Sequence, residues 1–585
     1  MTIFVPDNPR LNVWRDRIER SKKFRKKQLK DVAKYIKFMQ GDQWGDRKVT
    51  ITEKPVINLI FSHIKTQLPN LYFQNPNFYC RPKQNLTVED MPRMVNDARL
   101  AQFFLNYYTK ENLGIALKKQ VRLAILDAFF CYGVIKVGYT GNFEINTNFG
   151  RNKVLAEEPD GTPVYETDPV TGEVMKDEDE HILTNEAFYA RRVSPLHILI
   201  DPECENYFED GRYIAQEIVK SVQDVKNSKL YENTDDLNAS FNLAPAMEVE
   251  GEDLEDNPEL KNDLGRITIY EIYDLEHDKL IVLADGHDKF IRDERVPAGI
   301  EGSPFEFLRL NEVPDKPYPM SDIKPLKSLQ EEYNLGRGMI MTHAKRYGRK
   351  YGYKEGDFPG EEGETELEKL KDPNDGTLFK YWENMPTPLE DASLDPAVYA
   401  NFSQTLQDFR EVAGSTEMDR GVVERRKTAF EASKISGASS IRKEDKRSLV
   451  ADFMAGIGLK FLQSMQANLT LENAVEIAGE VGRKWVSINQ ENIAGGYNVG
   501  VELGSLAPKI PELERQELMQ VLQFVSQMPP ELVITKVNFG GMLKSLPRYF
   551  PLLTEADLLN SPEEEKKMMQ WLTQMKQKQQ KAGGK

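Results

Sequence analysis

Few side chains in this sequence are spaced for bond-making chemistry. His277 and His287, with Asp274, Asp278, Asp285 and Asp288 around them, form the only cluster whose residue types could hold a divalent cation. A polar hairpin accounts for the same residues equally well. The acidic stretch Glu157 to Glu180 lacks the EF-hand spacing and the turn glycine that a calcium loop needs. His63, His181, His197 and His343 stand singly, and no phosphate-binding loop, dinucleotide fingerprint, nucleophile elbow or paired-histidine zinc motif occurs. No catalytic residue and no cofactor is therefore expected. Positive charge is what carries a pattern. Arg420, Arg425, Arg426 and Lys427 collect in the glycine-bounded stretch Gly414 to Lys427, and Lys345, Arg346, Arg349 and Lys350 form a second cluster. Arg20, Lys22, Lys23, Arg25, Lys26, Lys27 and Lys30 lie along Asn12 to Met39, which reads as one helix with a basic exposed face. Such groups touch phosphate without reading sequence, or else pair with acids such as Glu361, Glu362 or Glu424, or remain solvated.

The elements that must position these charges run from Ser321 to Thr470. Ile323, Leu326, Leu329, Tyr333, Met339, Ile340 and His343 recur at three- and four-residue steps, which predicts an outbound helix with one apolar stripe, on the order of 40 Å long. Asp395-Pro396 opens a return helix as a cap followed by proline at the first helical position, with Val398, Phe402, Leu406, Phe409, Val412 and Ala413 on one face. Between them, Gly352 to Pro388 is rich in Gly, Pro and Glu, with an aromatic-aliphatic island at Thr377 to Trp382. That is too little apolar material for its own core, so the tip is expected to complete its burial against neighbouring copies of the chain. From Thr428 a helix is expected to reach about Ala478, on the order of 70 Å, with Gly437, Gly456 and Gly458 as bend points.

At 585 residues and 40% hydrophobic content the chain can bury a large core, about four domain-sized units by length. A formal charge of −16 argues against a protein that grips nucleic acid over its whole surface. Cys80, Cys131 and Cys204 share no metal-ligand spacing and read as reduced, packed thiols. No export signal is recognised near the start, and the most apolar run, Leu123 to Val137, is too short to span a bilayer and contains Asp127. Helices are expected over Pro55 to Tyr72, Val88 to Glu111 and Leu113 to Phe130. Strands are expected at Val134 to Tyr139, His181 to Val193, Leu196 to Ile200, Tyr213 to Val219, Arg266 to Tyr273, Leu280 to Ala284 and Phe305 to Leu310. The acidic insertions Glu157 to Glu180 and Asn233 to Asp263 read as mobile loops. Gly482 to Leu503 reads as strands rejoining the sheet region, and Pro508 onward as helical. The fold class is α+β, predominantly helical.

Several stretches, in order, resemble one family. "GDQW" (Gly41 to Trp44), "PVINLIFSHIKTQLPNLYFQNPNFYCRP" (Pro55 to Pro82), "PYPMSDIKPLKSLQEEYNLGRGM" (Pro317 to Met339), "TAFEAS" (Thr428 to Ser433) and "NVGVELGS" (Asn498 to Ser505) are similar to the portal proteins, or head-to-tail connectors, of tailed double-stranded DNA bacteriophages. The resemblance is weakest over the acidic insertions and the last stretch of chain.

The resemblance implies a dodecameric ring at one capsid vertex through which double-stranded DNA passes during genome packaging and ejection. It implies a wing over Met1 to Met320 and Thr428 to Gly504, and a stem of Ser321 to Tyr347 with Asp395 to Ala413. A clip over Gly348 to Leu394, a tunnel loop over Gly414 to Lys427 and a crown over Ser505 to Lys585 complete the division. Arg420, Arg425, Arg426 and Lys427 would face DNA from the tunnel loop, and Lys345, Arg346, Arg349 and Lys350 from the stem end. Glu361, Glu362, Glu364, Tyr381 and Trp382 would dock partners at the clip. The implied partners are further copies of the chain, the terminase large subunit, a tail adaptor, and the major capsid and scaffolding proteins, with no membrane. The implied location is the virion, after synthesis in the host cytoplasm, and no enzymatic activity or metal is implied. Two other functions fit the residues alone: a metal-dependent nuclease using carboxylates of the strand region, and a capsid-internal scaffold that never meets DNA.

Overall fold

A computed structural model describes residues 8–45, 51–83, 91–109, 116–145, 181–240, 265–296, 299–346, 351–354, 356–371, 380–388, 394–414 and 429–468, with shorter pieces at 151, 154–157, 163–165, 174, 473–479, 482–488, 496–502, 506, 520, 523 and 527. The architecture mixes helix and strand, as expected.

Its centre is a five-stranded antiparallel sheet in the order Phe290–Arg295, Lys279–Ala284, Arg266–Asp274, Tyr213–Ser221, Ile198–Ile200. Period-two alternation sorts its side chains onto two faces. Ile267, Ile269 and Tyr273 enter the main core with Ile214, Leu280 and Val282. Tyr270 and Ile272 join Tyr213, Ala215, Ile281 and Leu283 in a second cluster, covered by Leu11, Trp14 and Ile18 of the helix Pro9–Gln28. A three-stranded sheet of Phe305–Leu308, Gly133–Ile145 and His181–Arg192 packs on the helix Leu117–Phe130 and on the long helix Ala429–Asn468. Asp127, the charge inside the apolar run, is explained there: Arg192 donates to both of its carboxylate oxygens at 2.6 and 2.8 Å. Burial pushes the Asp127 carboxyl up, and Arg192 opposes that.

The remote strand Tyr497–Val501 pairs antiparallel with Phe78–Pro82, from Phe78 opposite Val501 to Pro82 opposite Tyr497. Gly458 of the long helix lies beneath this pair. A Cβ at that position would sit 2.7 Å from the Phe78 ring, so the helix glycine serves close packing.

Several boundaries depart from expectation for identifiable reasons. The amino-terminal helix is two helices, Pro9–Gln28 and Val32–Gln40. The break lets Leu11, Trp14 and Ile18 cover one sheet face while Val32, Tyr35 and Phe38 enter the main core. Helix over Pro55 to Tyr72 begins only at Leu59, where the Asn58 side chain accepts from the Phe61 amide at 2.9 Å. Residues 51–58 are not helical. The long helix ends at Asn468, and Asn473–Gly479 turns through Gly479 opposite Gly482 into the strand Gly482–Ile488. Val475 and Ile477 alternate as in a strand, which the helical reading up to Ala478 overlooked, whereas Gly482–Ile488 is a strand as expected. The hairpin Val154–Glu157 with Pro163–Tyr165 occupies part of one acidic insertion. Nearly all the remainder of that insertion, most of Asn233 to Asp263, and nearly all of the expected crown lie outside the described residues. Among the described residues no helix is long and apolar enough to cross a membrane.

Candidate functional site

The outbound helix spans Lys324–Arg346 and the return helix Pro396–Ala413. Asp395 caps the return helix, its Oδ1 accepting from the Ala397 amide at 2.9 Å, and Gly414 closes it at φ 62°. The two helices meet where Tyr333 stacks on Phe402, ring centroids 4.3 Å apart. Glu332 accepts from Asn401 at 3.3 Å and from Thr405 at 3.2 Å alongside.

The seam is narrower than the sequence suggests. Ile323 at the helix entrance, and Leu326 and Tyr333 on the outbound helix, are buried, but Met339 is 42% exposed. On the return helix Phe409 is buried, whereas Val412, expected in the seam, is 48% exposed and Tyr399 is 51% exposed. Polar residues take the remaining buried outbound positions. Gln330 Oε1 accepts from the amides of Leu59 and Ile60 at 2.9 and 3.2 Å, and its Nε2 donates to the Ile57 carbonyl at 2.8 Å. Asn334 accepts from the Ile57 amide at 3.1 Å and donates to Gln43 at 2.6 Å. Thr342 accepts from the Glu53 amide at 3.3 Å. Gly338 allows this approach, since a Cβ there would lie 2.7 Å from the Glu53 carbonyl oxygen. Residues 51–60 are thus clasped along the outbound helix. The i,i+4 pair of carboxamides beside Gly336 and Gly338 was the available signal for this contact.

At the base of the pair the long helix supplies the anchor. Lys446 Nζ reaches the two Asp322 oxygens at 2.8 and 2.6 Å, and Asn311 donates to the same carboxylate at 2.6 Å. Arg442 Nη1 donates to the Glu411 carbonyl at 3.3 Å, next to Gly414. A cavity of about 280 Å³ opens here, lined by His63, Gln67, Asp322, Arg442 and Lys446.

At the opposite end, Tyr351–Gly352 pairs with Thr387–Pro388 to close the tip. The helix Gly360–Lys371, which the sequence reading did not foresee, fills part of it. Glu361, Glu362 and Glu364 are exposed on this helix. Glu362 lies 3.8 Å from Lys380 of its own chain. Hydrogen bonds from Lys369 and from the Lys380 amide hold the Glu366 carboxyl below its usual range. Phe358 packs edge-on against Tyr353 and Trp382, while Tyr381 and Trp382 stay 51% and 37% exposed. An acidic helix and a solvent-facing aromatic group therefore share the tip.

Of the expected phosphate-facing residues, Lys345 and Arg346 close the outbound helix. Arg349, Lys350, Arg420, Arg425, Arg426 and Lys427 lie outside the described residues, as does Glu424. The basic face of the amino-terminal helix is corrected in part: Arg25 is buried, pairing with Glu217 at 2.7 Å, and Lys22 donates to Tyr270. The histidine cluster is corrected as well. Among the described residues, only Asp274, Glu276 and His277 come within reach of one ion. Asp274 already accepts from the Glu276 amide at 3.2 Å and pairs with His277 Nδ1 at 2.9 Å, so it stabilises the turn. His287 is not part of that group, and its backbone carbonyl accepts from Arg15. All three cysteines are free and buried, and burial pushes the Cys80 and Cys204 thiols up to about 12, so they are packing groups.

In comparisons with known proteins, no family model matches the chain and no curated protein sequence matches it.

Proposed function

We propose that this chain is a bacteriophage portal protein: a non-enzymatic subunit of a dodecameric ring that conducts double-stranded DNA at one capsid vertex. In this reading the exposed tip docks the terminase large subunit and later the tail adaptor, while the outer body meets the major capsid and scaffolding proteins. Support comes from the order of the sequence stretches that resemble the family and from the shape of the helical pair. The observation that carries the reading is the return helix, whose described burial is confined to Thr405 and Phe409 while Tyr399 and Val412 face outward. A helix held by one narrow seam on a projecting pair leaves lateral faces for identical neighbours, and head-to-tail contacts that close make rings. With every chain at −16, a ring carries a negative background over which phosphates slide, and isolated basic groups supply weak contacts.

Electron microscopy of the purified protein tests this. Rings with an axial opening wide enough for a duplex are expected. A protein that stays monomeric at micromolar concentration overturns the conduit, and rings too narrow for a duplex favour an internal scaffold.

A further inference from the structure

The amino-terminal helices carry two opposed stripes. Leu11, Trp14, Ile18, Ser21 and Arg25, then Val32, Tyr35 and Phe38, face inward and are buried. On the outside Arg20, Lys23, Lys27, Lys30, Lys34 and Lys37 recur at alternating three- and four-residue steps, and all six are exposed. The break between the helices does not interrupt the alternation.

The helix's cations divide by direction. Those that turn inward or sideways dock it: Arg10 pairs with Asp293 at 2.5 Å, Arg15 with Asp288 at 3.7 Å and Arg25 with Glu217 at 2.7 Å. In the outer row Arg20 meets Asp16 at 2.7 Å and Lys34 meets Asp31 at 3.3 Å, both on the surface. Among the described residues Lys23, Lys27, Lys30 and Lys37 have no acidic partner. Beside the row, a groove of about 960 Å³ runs between this helix and the Asp201–Arg212 turn. Arg17, lying over the Trp14 and Tyr213 rings at 4.6 and 5.7 Å, lines it together with Arg20 and Lys23.

The geometry points to this row as a docking surface for the phosphodiester backbone of a duplex nucleic acid, outside any channel. Successive cations advance by about 5 Å along each helix, which forms a line of charge and not a pocket. The fitting partner is a linear polyanion with charge at comparable intervals, and a duplex carries one phosphate per roughly 3.4 Å on each strand. An acidic peptide would be favoured by an apolar anchor within the row, and the six row positions are all charged. The chain's overall negative charge does not prevent local binding, because charges more than about 8–10 Å away are screened at ordinary salt. Lysines also suit contacts that hold a backbone without reading bases.

Fluorescence anisotropy on the full chain tests the assignment, with a 40-base-pair DNA duplex, an RNA duplex of equal length and oligoglutamate as separate probes. Binding to one or both duplexes is expected to weaken steeply with salt. The variant Lys23→Gln, Lys27→Gln, Lys30→Gln, Lys37→Gln should bind about tenfold or more weakly, with a log–log salt slope shallower by about three to four. The matched Lys→Arg variant should bind as the native chain does, which separates charge from any loss of folding. Equal binding by the Gln variant, or tighter binding of oligoglutamate than of either duplex, overturns the proposal. The outcome does not depend on ring formation, so it is separable from the conduit reading.

Discussion

Arg25 lies in a run of seven basic residues, yet it is the one that folding withdraws from water. Its guanidinium and the Glu217 carboxylate are 8% and 7% exposed, so removing one leaves the other charged without its partner in a dry interior. Arg25→Ala is expected to lower unfolding stability in denaturant by about 3 kcal/mol, the lower end of the usual range, because Lys22 stands 3.8 Å from Glu217. Arg25→Met with Glu217→Leu should recover most of that loss. A second residue-scale effect belongs to His287, whose imidazole burial lowers its proton affinity and whose Nε2 is buried with no hydrogen-bond partner among the described residues. The unfolded chain then binds the proton more readily than the folded one, so stability is complete above about pH 6.5 and declines as pH falls toward the depressed folded value. Unfolding midpoints measured from pH 7 to pH 5 should fall less in His287→Gln than in the native protein.

At the scale of elements, the outbound helix holds residues 51–60 by side chains whose loss leaves backbone donors stranded. Gln330→Ala strips the Ile60 amide of its acceptor and leaves the Leu59 amide only the Ile57 carbonyl at 2.9 Å, and a cost of about 1–3 kcal/mol is expected, with faster hydrogen exchange at the Ile60 amide. This contact also marks where sequence stops being legible. The return helix announced itself through Asp395-Pro396, because capping is local and the residues that perform it are adjacent. Most central strands were legible from their β-branched runs, as at Arg266–Asp274. Phe78–Pro82 and Phe290–Arg295 were not, since each depends on a partner strand that no local pattern reveals. Gln330 and Asn334 interrupt an apolar stripe and read as exposed until their partner segment is located. The amino-terminal basic run was legible as charge but not as two opposed faces, because which lysines dock and which remain outside is decided by Glu217, Asp288 and Asp293 on a distant sheet.

At the scale of the whole molecule, the proposed ring would turn the stretch Gly414 to Lys427 toward the DNA as its tunnel loop. Arg425→Ala with Arg426→Ala is expected to leave assembled particles unchanged under the microscope while lowering the yield of packaged genome. Normal yield from that double variant would remove the loop from DNA handling without touching the ring itself. The stretch starts from a firm anchor: Gly414 ends a capped helix, and Arg442 of the next helix bonds to the Glu411 carbonyl beside it.

The pairing of Phe78–Pro82 with Tyr497–Val501 also bears on timing. The strand Phe78–Pro82 waits for one synthesised only after the long helix, so this part of the core cannot close until the chain has been made through Val501. In the proposed ring, contacts between neighbouring copies that need this pair would be deferred until that point of synthesis.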